Sequence, residues 1–226
     1  MDIRDVLKRR KHVVSYDMNV IPDRSLIDYC LKMAHDITPS KQNVFPYTVN
    51  VLGPDKQKEK DYVYDIVTSN HKRMEDEALE DGTATYDKDG YSFHINPYYK
   101  HIHINPYLLI INQRLHEKAN EFYTKQMVRN HYMEQMDAER VKVSKDLGAT
   151  AVEVGLFTAN LTALVVEQNL DISYCLCFER PVKFWKELGF IDYSPVLLVS
   201  IGKAKQYRGI VEGDIKTPVG DIIKWR

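Results

Sequence analysis

The chain has 226 residues, 44% hydrophobic and 28% charged, the composition of a globular protein able to bury a sizeable core. Lys and Arg total 31 against 32 Asp and Glu, a formal net charge of −1, which excludes nucleic-acid binding driven by a strongly basic whole-chain field. No uninterrupted apolar run reaches the roughly 18 residues of a membrane span, Met1-Asp2-Ile3-Arg4-Asp5 lacks a signal-peptide core, and three cysteines cannot all pair within the chain, so a cytoplasmic setting is expected.

In chain order, Asp2 is placed to cap a short helix through Val6 and Leu7 that ends in the basic cluster Lys8-Arg9-Arg10-Lys11-His12. The β-branched and aromatic Val13-Val14-Ser15-Tyr16 predicts an extended segment. Pro22-Asp23-Arg24-Ser25 starts a helix, capped by Asp23 or Ser25. Its apolar stripe runs through Leu26, Cys30, Met33, Ala34 and Ile37, widened by Ile27 and Leu31. Thr38-Pro39 ends it, because the residue before proline is pushed out of the α region. Tyr47 to Leu52 predicts a strand that turns at Gly53-Pro54-Asp55.

Residues 56–80 predict an exposed helix, polar at both ends and buried through Tyr62, Val63, Ile66 and Val67. His94-Ile-Asn-Pro-Tyr98 recurs as His103-Ile-Asn-Pro-Tyr107, two copies being too few for a solenoid. Tyr107 to Ile111 predicts a buried strand, and the polar, helix-prone stretch 113–143 a helix pair or lid. The strongest helix runs from Lys145 to Leu170. Val152, Leu156, Ala159, Ala163 and Val166 form one stripe, while Val154, Leu161, Leu164 and Val165 fill much of the rest. A helix apolar nearly all round belongs in the interior or against a second subunit. Tyr174 to Phe178 and Val196 to Ile201 predict strands around a helix centred on Phe184-Trp185, and residues 220–226 an extended amphipathic tail. No linker divides the chain, so one domain, 1–226, is expected.

Two segments have chemical potential. The cations from Lys8 to His12 suit a phosphate group gripped by bidentate hydrogen bonds, or equally a solvated basic surface that complements a helix C-terminus. In Thr38-Pro-Ser-Lys-Gln-Asn-Val-Phe-Pro-Tyr47, Ser40 and Asn43 offer a hydroxyl and an amide to a polar ring edge, or the stretch is an ordinary connection. His94, His101 and His103 raise a metal site, since His-x-His on a strand puts both rings on one face. No nearby cysteine or carboxylate completes a ligand spacing, so none is predicted. Cys175-x-Cys177 has the wrong spacing for a redox or zinc pair and reads as buried strand cysteines.

The order of these elements resembles the FMN-dependent nitroreductase family. The resemblance rests on Arg9-Arg10-Lys11-His12-Val13-Val14-Ser15-Tyr16, on Pro22 and Leu26, and on Ala34 through Pro39-Ser40-Lys41-Gln42-Asn43-Val44-Phe45-Pro46-Tyr47. It resumes at Gly148 to Leu170, Leu170 to Phe178 and Leu197 to Gly202, covering roughly half the chain. It implies an α+β nitroreductase-like fold, a mostly antiparallel sheet flanked by helices, in an intertwined homodimer with FMN in each interface cleft. A variable lid would occupy about 56–145 and a C-terminal dimer-wrapping extension about 203–226. By position, Arg10, Lys11 and His12 correspond to the grip on the phosphate and ribityl chain. Ser40 and Asn43 correspond to the loop near the flavin, Tyr174, Leu176 and Cys177 to the segment along its face, and Lys216 to a late phosphate contact. Phe122, Tyr123 and Tyr132 would belong to the substrate lid.

Two positions depart from the family pattern: His12 stands where Ser is usual, and Val14 where Arg or Lys is usual. Loss of that cation would lower the flavin's reduction potential unless His12 or Lys11 compensates. The implied activity passes hydride from NADH or NADPH through flavin N5 to a small aromatic, nitro or quinone-type acceptor, with no protein nucleophile. Alternatives on the same scaffold are a dehalogenase-like flavoenzyme whose lid residues Glu117, Glu121, Tyr123 and Lys125 hold a zwitterion, and a non-catalytic dimeric binding protein.

Overall fold

The computed structural model describes residues 2–80, 100–114, 121, 124–125, 147–176, 178, 182–191, 195–207 and 222–223. The elements are α1 (Ile3–Arg9), β1 (Val13–Tyr16), α2 (Arg24–Ile37), β2 (Tyr47–Leu52), α3 (Gln57–Glu80), α4 (Lys100–His103), β3 (Tyr107–Gln113), α5 (Leu147–Glu167), β4 (Asp171–Cys175), α6 (Val182–Lys186), β5 (Pro195–Gly202) and β6 (Ala204–Tyr207). A turn of 3-10 helix, Lys41–Asn43, precedes β2. Four strands form one antiparallel sheet in the order β2-β3-β5-β4, and β1 pairs with β6 in a two-stranded ribbon.

The sheet is covered on both faces, which explains the unbroken apolar runs in its central strands. Side chains alternate across a strand. Tyr107, Leu109 and Ile111 therefore enter a core with Val6 of α1, Ile27, Cys30 and Ala34 of α2, and Val154, Phe157, Leu161 and Val165 of α5. Leu108 and Ile110 enter a second core with Val63, Ile66 and Val67 of α3, Ile102 of α4 and Trp185 of α6. The register sets Leu109 opposite Val51 on one side and Val199 on the other. Gly202 ends β5 where a Cβ would lie 2.6 Å from Pro106 Cδ and 2.9 Å from Tyr16 Cδ1; only glycine admits that approach.

By length and a mean hydropathy of 1.6, α5 has the composition of a membrane span, although half of that stretch is buried within the chain. Its C-terminus closes with Asn169 in the left-handed region at φ 57°, with the Asn169 N–H donating to Val166 O and the Leu170 N–H to Val165 O.

Some expectations need correction. β3 falls inside the range 56–145 expected to vary as a lid, yet it is an inner strand of the sheet. β6 opens the expected dimer-wrapping extension but pairs with β1 of its own chain. His101 and His103 lie on the helical turn α4, not on a strand. His94 and the tail beyond residue 223 lie outside the described residues. Lys60, expected on an exposed face, is fully buried. Its Nζ donates to Asn105 O at 2.8 Å and Pro106 O at 2.9 Å, satisfying two buried carbonyls before β3.

Burial pushes the Lys60 ammonium down to about 8, against the attraction of Asp55 and Asp61. The unfolded chain then binds the proton more tightly, so stability rises as pH climbs from 8 toward the ordinary lysine value near 10.5. Buried tyrosines, Tyr16 and Tyr47 among them, oppose this above pH 10 because burial raises their phenols. Between pH 7.5 and 9.5, urea unfolding should therefore show the wild type gaining stability relative to Lys60→Met; parallel pH curves for the two proteins would refute this account of Lys60.

Candidate functional site

The two arginines at the end of α1 have different surroundings. Arg9 reaches the C-terminus of α5, donating from Nη1 to Asn169 Oδ1 at 2.9 Å and from Nη2 to Val166 O at 3.1 Å. A cation there satisfies terminal carbonyls and complements the helix dipole. Lys203 adds an Nζ bond to Asn169 O at 3.0 Å. Arg10 points elsewhere: its guanidinium carbon sits 5.0 Å from the centroid of the Tyr174 ring on β4. Lys11 Nζ is 5.1 Å from the centroid of Tyr207 on β6. Neither Arg10 nor Lys11 forms an ion pair with a carboxylate among the described residues. At exposed sites such cation–π contacts contribute only about 0.5–1 kcal/mol, so an anionic ligand would compete for these cations readily.

Beside Arg10 runs a groove of about 650 Å³. Gly155, Ala159 and Ala163 of α5 form one wall, and Tyr174, Leu176 and Leu197 lie among its other lining residues. The Tyr174 and Thr162 hydroxyls are hydrogen-bonded to each other. Small side chains on the helix keep the groove open, and its lining is mostly apolar.

Ser40 and Asn43 belong to a different loop, and of the two Asn43 lines a separate cavity. The connection from α2 to β2 carries two non-glycine residues in the left-handed region, Asn43 at φ 54° and Phe45 at φ 45°. That conformation costs roughly 1–2 kcal/mol per residue, least for Asn. Besides backbone hydrogen bonds within the turn, bonds to side chains help to hold it. Thr38 Oγ1 donates to Ala34 O at 2.5 Å, and Asn160 Nδ2 donates to Thr38 Oγ1 at 3.0 Å. The Lys41 N–H donates to Glu153 Oε1 at 3.2 Å, and the Phe45 N–H to Ser40 Oγ at 2.8 Å. Asn43, Phe45, Tyr47 and Phe157 line a cavity of about 690 Å³ that shares no lining residue with the Arg10 groove.

No protein-family model matches the sequence, and no curated protein does. Solved structures do match along almost the whole chain. A Staphylococcus epidermidis protein assigned as an NAD(P)H:FMN oxidoreductase aligns with a TM-score of 0.65 at 19% identity, covering 100% of this chain and 96% of that one. A protein from Exiguobacterium sibiricum, assigned as a nitroreductase and crystallised with FMN, aligns at 0.65 and 17% identity over 100% and 98%. A nitroreductase-like protein from Streptococcus mutans aligns at 0.64 and 17% identity over 99% and 97%. The chain has the nitroreductase fold.

Within the nitroreductase fold of this chain, the expected site residues divide. Arg10, Tyr174 and Leu176 meet at one groove, while Lys11 lies over Tyr207. Asn43 faces the other cavity, and the hydroxyl of Ser40 is engaged as an acceptor within its own loop. Val14, which stands where the family pattern has a cation, is only 2% exposed, and its side chain belongs to the interior. Cys177, Lys216, Phe122, Tyr123 and Tyr132 lie outside the described residues. Glu121 and Lys125, considered as zwitterion ligands, pair with each other at 2.5 Å. Among the described residues, no group of three metal-ligating side chains forms a site.

His12 has a neighbour that sequence reasoning missed: the His101 ring stands edge-on to it, 6.2 Å between centroids. His101 is buried, and its Nδ1 is 2.9 Å from Ser200 Oγ. Tyr16 Oη donates to Ser200 O at 2.7 Å, so β1, α4 and β5 are tied behind the basic segment. Burial, then the proximity of His12, pushes His101 down to about 3 from an ordinary value of 6.5. Neutral His101 therefore contributes stability that is present above pH 6.5 and lost as pH falls from 6.5 toward 3. In NMR titration the His101 ring resonances should stay those of a neutral imidazole down to pH 4, and a midpoint near 6.5 would show that the ring is not buried as described.

Proposed function

We propose that the chain is an FMN-dependent oxidoreductase that acts as a homodimer, drawing on NADH or NADPH and reducing a small aromatic, nitro or quinone-type acceptor. The observation that carries this reading is Arg10, a cation without a carboxylate partner among the described residues, held over Tyr174 at an apolar groove. The Staphylococcus protein's assignment as an NAD(P)H:FMN oxidoreductase and the FMN bound to the Exiguobacterium protein support the choice of cofactor.

The residues present fit that group. Arg10 and Lys11 supply two donors for a phosphate through charge-assisted hydrogen bonds, and the Arg10 groove is apolar enough to exclude water from one face of a flat ring. His12 lies beside these cations, on the buried His101. By the sequence resemblance alone, Leu176 and Cys177 would border the ring and Lys216 would be a further phosphate contact. By the same resemblance, Phe122, Tyr123 and Tyr132 would belong to the lid over the acceptor. The chemistry FMN supplies is hydride acceptance from the nicotinamide and reduction of the acceptor; the protein binds, orients and excludes water.

A second copy of the chain accounts for what one copy leaves open. α5 presents Val152 at 65% and Leu156 at 43% exposure beside Gly155 and Ala159, an apolar strip of the kind that marks an interface. The Arg10 groove and the Asn43 cavity are separate in one chain, and pairing across α5 offers a way to bring Asn43 of one subunit to the groove of the other.

Arg10→Ala should weaken FMN binding by ~1.5–3 kcal/mol, the range for hydrogen bonds to charged groups, measured by fluorescence titration; Lys58→Ala serves as the surface control. Equal affinities would remove Arg10 from the site, and a protein that neither binds FMN nor bleaches with NADPH would favour a binding module. In sedimentation, Leu156→Glu should convert a two-chain species to one chain with loss of bound flavin. A wild type that sediments as a single chain would overturn the dimer.

A further inference from the structure

Glu153 is the sole charged residue between Leu147 and Val166 of an otherwise apolar helix. It is 9% exposed, and its Oε2 has no hydrogen-bond partner among the described residues. A buried carboxylate left half satisfied opposes folding, so its retention calls for a reason. Its Oε1 accepts the Lys41 N–H at 3.2 Å. Seven residues along, Asn160 donates to Thr38 Oγ1 at 3.0 Å. Seven residues are close to two helical turns, which puts both groups on one face of α5. That face therefore grips the loop at two points, just ahead of the left-handed Asn43 and Phe45. Ser40 lies between the two attachment points and Asn43 immediately beyond them.

We propose that Glu153 is a positioning residue for the 38–45 loop, holding Ser40 and Asn43 in the conformation that meets the flavin. This rests on the FMN reading above. The loop's backbone favours other conformations by itself, because two of its residues occupy sparsely populated torsions. The carboxylate supplies a charge-assisted acceptor from the rigid helix, where a water molecule would give no fixed geometry. Tyr47 Oη is a second buried group without a partner among the described residues. Burial first, and then the Glu153 charge, hold its proton on, leaving the phenol a donor beneath the same loop.

The test uses the full chain as wild type, Glu153→Ala, Glu153→Gln and, as a core control on the same helix, Val165→Ala. Two quantities are read: amide hydrogen exchange at Lys41 and the dissociation constant for added FMN. Removing a hydrogen bond to a charged group should speed Lys41 exchange and weaken FMN binding by about tenfold or more in Glu153→Ala. Glu153→Gln keeps a neutral acceptor in place and should restore both in part, while Val165→Ala should lower stability and leave FMN affinity unchanged. Unchanged Lys41 exchange in Glu153→Ala would overturn the clasp. Faster exchange with unchanged FMN affinity would overturn the positioning role and leave the flavin reading intact. A wild type with no FMN affinity would overturn the flavin reading and this role together, whatever the exchange rates.

Discussion

Helix α5 lies with one long face against the sheet, and the surrounding structure is arranged on that contact. Val154, Phe157, Leu161 and Val165 pack on β3, β5 and α2, and dense packing of this kind leaves little freedom for the helix to slide or turn. The helix is consequently a rigid reference for groups that have no regular structure of their own. Arg9 closes its C-terminus, while Glu153 and Asn160 hold the loop after α2. Its opposite face keeps Val152 and Leu156 exposed. One element thus anchors the basic segment, the loop and the apolar strip.

That arrangement explains the separation of roles between adjacent residues. Successive positions at the end of a helix point in different directions, so Arg9 can reach the carbonyls of α5 while Arg10 extends over Tyr174. Without Arg9 and Lys203 at Asn169, the start of β4 and the segment carrying Arg10 would lose their common support. Behind them, His101, Ser200 and Tyr16 form a buried polar contact. A buried hydrogen-bonded cluster of this kind favours a single geometry because breaking it would leave buried groups unsatisfied. The candidate site is therefore supported from two sides, by a helix end and by a polar core.

Much of this was legible beforehand in particular residues. The strands Tyr47 to Leu52 and Tyr107 to Ile111, the helix from Pro22, and the long apolar helix were readable from period and punctuation, which are local properties of the chain. The resemblance in Arg9 to Tyr16 and in Ala34 to Tyr47 pointed to the fold that the solved structures share. Lys60 was misread because its helix is polar around it, and the carbonyls that hold it lie some 45 positions away. Glu153 went unnoticed, although a lone acid in an apolar stretch was a usable signal. His101 drew notice only as a possible metal ligand and Tyr207 had no local signal, since their significance comes from Ser200 and His12 in the first case and Lys11 in the second.

By itself, the order of residues determined where helices and strands form and that α5 would carry more apolar surface than one face needs, because hydrophobic spacing and backbone preference act between near neighbours. Only the tertiary structure decided which cation caps a helix and which lies over Tyr174, that Val14 turns inward, and that Glu153 meets Lys41. Those outcomes depend on distances between groups far apart in sequence, and packing the two faces of a single sheet is what brings them together.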